Sequence, residues 1–388
     1  MALQWQQYSG KWNLQTQGQA VGATTWPLPF TFLWAWGAGT SGALGLGNTT
    51  NYSSPVQVGG GDNWTLLTGT FMGKSTFGIK LNGELWAWGS NSHGQLGQGS
   101  SGGDWSSPVQ VGALTTWSSV TAGIYCALAI KTDGTLWSWG QGANAQLGLG
   151  NTSQYDSPVQ VGALTDWASV SASASNNGAV VATKTDGTLW AWGTNAYGQQ
   201  GHGNTTTYSS PVQVGALTTW LNACSGNYFT VASKTDGTLW TCGQNNLGQL
   251  GQNNTTDLSS PVQVGALTDW VVNAGTGGFK FCSVVKPDGT LWTWGDNGIG
   301  QLGHGNYTNV SSPKQVGALT SWSNAVSRNG NSSFLTTTGL LFACGYSNQG
   351  GLGLGATNIT TSPIQVGALT SWVSIFPANA QGCFAIQS

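Results

Sequence analysis

Apolar residues along this chain fall in short unbroken runs and not at helical spacing. Residues 127–130 and 189–192 are apolar at nearly every position, which predicts strands covered on both faces. In one representative stretch, residues 158–161, 167–172, 179–184 and 188–192 each predict a strand. Asp186-Gly187 joins the last two, and that dipeptide between apolar runs predicts a two-residue hairpin with both turn residues at positive φ. Equivalent turns are Asn82-Gly83, Asp133-Gly134, Asp236-Gly237, Asp288-Gly289 and the weaker Thr338-Gly339. No helix of any length is indicated.

The run that ends the representative stretch, Leu-Trp-x-Trp-Gly or a close variant, returns seven times, closing at Gly37, Gly89, Gly140, Gly193, Gly243, Gly295 and Gly345. The spacing of 50 to 53 residues is the mark of an array of one structural unit. A second phrase, Ser-Pro-Val-Gln-Val-Gly-Ala-Leu-Thr-x-Trp, keeps the same phase and ends in Trp64, Trp117, Trp167, Trp220, Trp270, Trp322 and Trp372. Of the 22 tryptophans, only Trp5, Trp12, Trp26 and Trp105 fall outside the two phrases, so most of this aromatic content is repeated core. A glycine-rich corner, Trp-Gly-x-Asn-x-x-Gly-Gln-Leu-Gly, leads from unit to unit, as at 88–97 and 294–303.

The two ends of the chain complement each other. Seven runs of the Leu-Trp-x-Trp type exist, but the first, at 30–36, has no hairpin before it, and the last unit stops after the strand at 383–387. The predicted fold is therefore all-β: a seven-bladed β-propeller of four-stranded antiparallel blades, in which the N-terminal strand completes the C-terminal blade and removes two exposed edges. Residues 30–388 form the propeller and residues 1–29 an arm that belongs to no repeat.

Gly-x-Leu-Trp-x-Trp-Gly, then Asn-x-x-Gly-Gln-Leu-Gly-x-Gly, then Ser-Pro-Val-Gln-Val at a spacing near 51 resembles the repeat of the regulator of chromosome condensation family of seven-bladed propellers. The resemblance covers about residues 30 to 388. It implies the ring fold; it does not by itself imply an activity, because such folds host many. The founding member is an exchange factor for a small GTPase that docks on chromatin, and a plant relative senses ultraviolet light through tryptophans held by arginines.

Charge argues against both activities. Charged residues make up 6% of the chain, against about 25% in ordinary soluble domains. Arg328 is the only arginine and Glu84 the only glutamate, and the formal net charge is -2. Neither an arginine network nor the basic and acidic surfaces of the exchange factor can be assembled from this inventory. Nucleic-acid partners and anionic membranes are disfavoured for the same reason. No run reaches the roughly 20 apolar residues of a membrane span, and residues 1–10 show no secretory pattern.

Catalytic and metal chemistry also lacks residues. Asp133, Asp186, Asp236 and Asp288 are committed to turns, and Glu84 follows one, where exposure is expected. His202 and His304 hold the same place two repeats apart, roughly 100° around a seven-fold ring, so they do not share a metal; His93 is expected to be solvated in a corner loop. The Gly-x-Gly strings lack the helix that a phosphate loop needs. The six cysteines show no CxxC spacing and no evident partners, and are expected to be small buried hydrophobes. No cofactor and no enzymatic activity are expected.

Binding or assembly remains. The turn between the second and third strands varies most: Phe71 and Lys74; Tyr125; Asn176 and Asn177; Asn227 and Tyr228; Phe279 and Lys280; Asn329 and Asn331; Gln381. Seven such turns are expected to ring one mouth of the propeller, where aromatic and amide side chains suit sugar or protein recognition. The arm carries Trp5, Tyr8, Trp12 and Trp26, a candidate anchor onto a larger assembly. Similar low-charge members of the family occur in phage genomes and in bacterial surface proteins. That resemblance implies a virion component such as a tail, neck or fibre protein, held by the arm and exposed outside the cell. A bacterial surface carbohydrate-binding propeller is the alternative.

Overall fold

The computed structural model describes residues 31–70, 74–173, 178–272, 277–378 and 382–388. It is a ring of seven antiparallel sheets. Blade 2 illustrates the unit: Trp117–Ala122 is innermost, followed outwards by Cys126–Lys131, Leu136–Gly140 and Tyr155–Gln160. Blade 1 starts at Trp64, blade 3 at Trp167, blade 4 at Trp220 and blade 6 at Trp322. In blade 5 three strands are described, Phe281–Val285, Leu291–Gly295 and Val310–Gln315. Where both are described, innermost strands of consecutive blades touch one another around the axis.

Blade 7 closes the ring. Its order from the outside is Tyr52–Val58, Phe32–Gly37, Cys383–Gln387, Trp372–Pro377. Phe32 pairs with Gln387 and Trp36 with Cys383. Closure thus takes two strands from the N-terminal side, one more than the sequence reading assigned. The reason is general to every blade: the Ser-Pro-Val-Gln strand pairs backwards onto the preceding Leu-Trp-x-Trp strand, as Val159 does with Ser138, and not forwards into the next unit. Its proline is the mark of an edge strand, where one backbone N–H is not needed by a neighbour.

The hairpins also differ from expectation. Gly187 has φ 77°, but Asp186 does not share the left-handed region. Gly187 N–H donates to the Lys184 carbonyl and Lys184 N–H to the Thr188 carbonyl, giving a three-residue loop that ends in a glycine bulge. Asp186 Oδ1 accepts both the N–H and the hydroxyl of Thr188, at 2.9 and 2.6 Å, so its side chain closes the turn in place of its backbone. The same pair of bonds joins Asp133 to Thr135, Asp236 to Thr238 and Asp288 to Thr290. A side chain on Gly187 would meet the Thr218 carbonyl at 2.2 Å, so the hairpin tip and the following interblade segment abut on one face of the ring.

The tryptophans of the two phrases do different work. The second indole of the strand phrase crosses to the neighbouring blade: Trp139 Nε1 donates to the Gln95 carbonyl at 2.8 Å, Trp192 to Gln146 at 3.0 Å and Trp294 to Gln249 at 3.0 Å. Where cysteine stands instead, the thiols of Cys242 and Cys344 make the longer contacts to Gln199 and Gln301, at 3.6 and 3.5 Å. The first indole turns outward, and Trp137, Trp190, Trp240 and Trp292 each donate to the threonine two residues before. Glu84 takes that threonine's part for Trp86 at 3.1 Å, which leaves it half-buried and not the exposed residue expected from its turn. Lys131 and Lys234 lie 3.5 and 3.6 Å over the faces of Trp137 and Trp240. All six cysteines are buried, as expected, and burial pushes the Cys126 and Cys242 thiols up to about 12. Cys224 and Cys282, from adjacent blades, share one core cluster, a proximity hidden from a comparison of equivalent positions.

Two groups of side chains set an acid response. The four turn aspartates sit below the ordinary carboxyl value of 3.8, chiefly because the threonine hydroxyl and then its N–H stabilise the ionised form. A pKa lower in the fold than in the unfolded chain means stability that is present above 3.8 and lost as pH falls through the folded value. His202 and His304 are shifted below 6.5, chiefly by burial, so the unfolded chain takes up their protons first and stability declines below that pH. The thermal midpoint, measured from pH 8 to pH 3, is expected to fall in two stages, a shallow one below 6.5 and a steeper one below 3.8. A midpoint unchanged at pH 3 would contradict this assignment of the turns.

Candidate functional site

The ring has two unlike faces. On one lie the Asp-Gly hairpins, the Gly-Ala-Leu-Thr segments and the entry of the chain at Thr31. On the other lie the glycine-rich corners and, among the described residues, the turns before the second strands, which form a rim. The rim turns are tied to the corners by backbone: the carbonyls of Lys74, Tyr125, Tyr228, Lys280 and Gly330 each accept the N–H that follows the closing glycine of their own blade.

Lys74 is exposed on this rim with φ 55°, and Tyr228 is half-buried there with φ 69°. Both hold the left-handed conformation that non-glycine residues seldom adopt, at the place where Gly178 and Gly330 stand in blades 3 and 6. Tyr125, Phe279, Lys280 and Asn329 are half-buried. Two expectations fail. Asn227 and Asn331 are buried, Asn331 because it is the first residue of the strand Asn331–Thr336, so neither presents its amide at the surface. Phe71, Asn176, Asn177 and Gln381, and the arm residues Trp5, Tyr8, Trp12 and Trp26, lie outside the described residues.

The rim is completed by corner residues that pattern reasoning did not single out. Each corner reaches the turn of the next blade. His93 lies against Tyr125 with ring centroids 4.3 Å apart and planes at 34°, so it is half-buried and not solvated. Tyr197 meets Tyr228 edge to face at 4.9 Å. The available signal was the position two residues before the corner glutamine, occupied by His93, Asn144, Tyr197, Leu247 and Ile299 in an otherwise regular phrase.

Among the described residues, the charges on this face are Lys74 and Lys280 on the rim and Asp104, Asp156, Asp257 and Asp296 in or against the corners. Arg328 is not on it: the guanidinium is buried between blades 6 and 7, donating to the Phe376 carbonyl and to Cys383 Sγ, each at 3.0 Å. The three ion pairs among the described residues, Lys80 with Asp62, Lys184 with Asp166 and Lys286 with Asp269, join strand ends to interblade segments on the hairpin face. His202 Nε2 approaches the Ala191 carbonyl at 3.4 Å and His304 Nε2 the Thr293 hydroxyl at 3.0 Å, each within its own blade.

Residues 32–385, the whole described ring, match the family model for the RCC1-like domain. The chain belongs to the RCC1-like domain family. Within it, the chain is 30% identical over 288 residues to the ultraviolet-B receptor UVR8 of Arabidopsis thaliana, covering 73% of this chain and 65% of the receptor. It is 27% identical to the human E3 ubiquitin-protein ligase HERC2 over 295 residues, which are 74% of this chain and 6% of the ligase. The chain therefore spans less than two thirds of either relative. The RCC1-like ring superposes on human WBSCR16 with a TM-score of 0.79 at 18% identity, covering 92% of this chain and 99% of that one. Yeast RCC1 (Prp20) bound to Kap60 gives 0.78 at 17%, covering 92% and 88%. At such identities the two structures establish the fold alone.

Proposed function

We propose that this RCC1-like ring is a non-enzymatic interaction scaffold, held by residues 1–29 to a larger particle and meeting an uncharged partner surface with its rim. The observation that supports the reading is the opposition of the two faces: the chain enters the ring on the hairpin face, while the varied aromatic and amide turns surround the other mouth. A ring anchored through its first residues presents the rim outward. The hairpin face also carries exposed leucines at equivalent places, Leu114, Leu164, Leu217, Leu267 and Leu319, which suit burial against a support. The particle in this reading is a virion, of which the protein is a tail, neck or fibre component, and the outer partner is a host-surface molecule.

The relatives' activities are not carried over. One buried arginine supplies no arginine network of the kind a light sensor uses, and a chain with 6% charged residues offers no strongly charged surface to a GTPase or to histones. Deleting residues 1–29 is expected to leave the ring's melting midpoint within about 2 °C and to remove the protein from particles, checked by calorimetry and by blotting purified virions. Undiminished incorporation would reject the arm as anchor. Contact through the rim is expected to hold from 50 mM to 500 mM salt, because few charges are there to be screened.

A further inference from the structure

Two junctions of the rim share a construction that nothing above uses. Between blades 1 and 2, His93 and Tyr125 stack over Gln95; between blades 3 and 4, Tyr197 and Tyr228 meet over Gln199. Both glutamines are fully buried, and their Oε1 atoms accept the N–H of His93 and of Tyr197, at 2.8 and 2.9 Å. Their Nε2 donors have no acceptor. A buried amide donor left unpaired is destabilising, because the hydrogen bond it made to water is not replaced. Gln146, between blades 2 and 3, leaves its Nε2 equally unpaired, with Asn144 at the rim position in place of an aromatic residue. In blade 4 the rim residue is Leu247, and there Gln249 directs Nε2 to Asn246 Oδ1 at 3.3 Å. Of these corners, those of Gln95 and Gln199 combine an unpaired buried donor with an aromatic pair at the rim.

We propose that these two clefts are binding sites for neutral saccharides. The inference rests on the rim being the binding face. A sugar ring offers an apolar C–H face for an aromatic ring and hydroxyl or acetamido oxygens as acceptors, which is what each cleft lacks. Tyr197 is the more exposed partner of its pair and supplies the stacking face, while Tyr228 is held in the left-handed region. Such strain is characteristic of positions that grip a ligand. No ionised side chain is among the four rim residues or the two glutamines, and the Asp156 carboxylate abuts Gly94 beside His93, which disfavours an anionic ligand. Both glutamine side chains are fully buried, so binding requires the rim to open before a sugar oxygen reaches their amides. Two like clefts on one ring suit a polymer that repeats the same unit, since tethering by the first site raises the local concentration at the second.

The test is an array of neutral hexose and N-acetylhexosamine oligosaccharides probed with the full chain, with the strongest responder then titrated calorimetrically. At least one neutral glycan is expected to bind, with affinity unchanged between 50 mM and 500 mM salt. Tyr197→Ala and Tyr228→Ala are each expected to weaken it about tenfold or more. Gln199→Glu, which keeps the acceptor for the Tyr197 N–H and removes the amide donor, is expected to weaken it as well. Should Gln199→Glu unfold, the exposed Tyr197→Ala variant still decides. A blank array, binding confined to acidic glycans, or neutral-glycan binding undiminished in a Tyr125→Ala/Tyr197→Ala double variant would overturn the proposal. If the double variant loses contact with host cells while the array is blank, the rim remains the binding face and its ligand is a protein. If cell contact and glycan binding are both untouched by the double variant, both readings fall.

Discussion

Replacing Ala35 by proline is expected to cost on the order of 3 kcal/mol or more and to turn a single cooperative unfolding transition into a broad one. Ala35 is fully buried and lies between Val56 on one side and Phe384 on the other, in the strand that joins the two ends of the chain. Proline there removes a ladder hydrogen bond and pushes on packed neighbours from two strands. The consequence is larger than for an ordinary strand, because blade 7 is the only one assembled from both termini, and the first and sixth blades rest on it. Chemical denaturation followed by tryptophan fluorescence measures the effect. A circular permutant that joins the two ends and opens at the hairpin 337–339 is the complementary measurement. It is expected to retain the wild-type midpoint within about 1 kcal/mol, since Phe32 already stands opposite Gln387. Wild-type stability in the proline variant would show that closure contributes little.

Trp192→Ala is expected to cost about 3–5 kcal/mol, the range for truncating a buried aromatic residue. Trp192 is fully buried, packs at 6.1 Å from Trp167, and donates across the blade junction to the Gln146 carbonyl. Its reach also explains a glycine. A Cβ on Gly148, which has φ 70°, would stand 2.8 Å from Trp192 Nε1, so the corner must lack a side chain for the indole to enter. Trp192→Cys is expected to be milder than Trp192→Ala, because Cys242 and Cys344 already occupy this position in two blades and keep a contact to the equivalent carbonyls of Gln199 and Gln301. Equilibrium unfolding of the two variants side by side checks the order. Equal losses would mean that the contact across the junction contributes nothing beyond the indole's burial.

Much of this architecture was legible in the spacing of a few residues, and the errors are instructive. Gly187 signalled a hairpin correctly, yet the loop has three residues, because Asp186 and Thr188 close it through side chains that a dipeptide rule does not consider. Pro158 signalled a strand, and the position of that strand on the outer edge of the preceding blade follows from proline's missing donor, which the repeat's apparent phase obscured. Among the candidate site residues, Lys74, Tyr125, Tyr228, Phe279, Lys280 and Asn329 do sit on one rim. Asn227 and Asn331 were misjudged because variability between repeats marks both surface turns and positions where each junction is packed individually. His93 and Tyr197 were overlooked because their partners, Tyr125 and Tyr228, lie about thirty residues away and in another blade.

By itself the sequence determined that there are seven units, that each is a β-sheet buried on both faces, and that the ends complete one blade, because periodicity, turn residues and edge prolines are local chemistry written along the chain. Only the tertiary structure decided which strand joins which blade, that the single arginine is buried, and which corner meets which turn. Those are contacts between residues distant in sequence, and they depend on how neighbouring blades pack across each junction, where a fully buried glutamine with or without an acceptor for its amide looks the same in a repeat alignment.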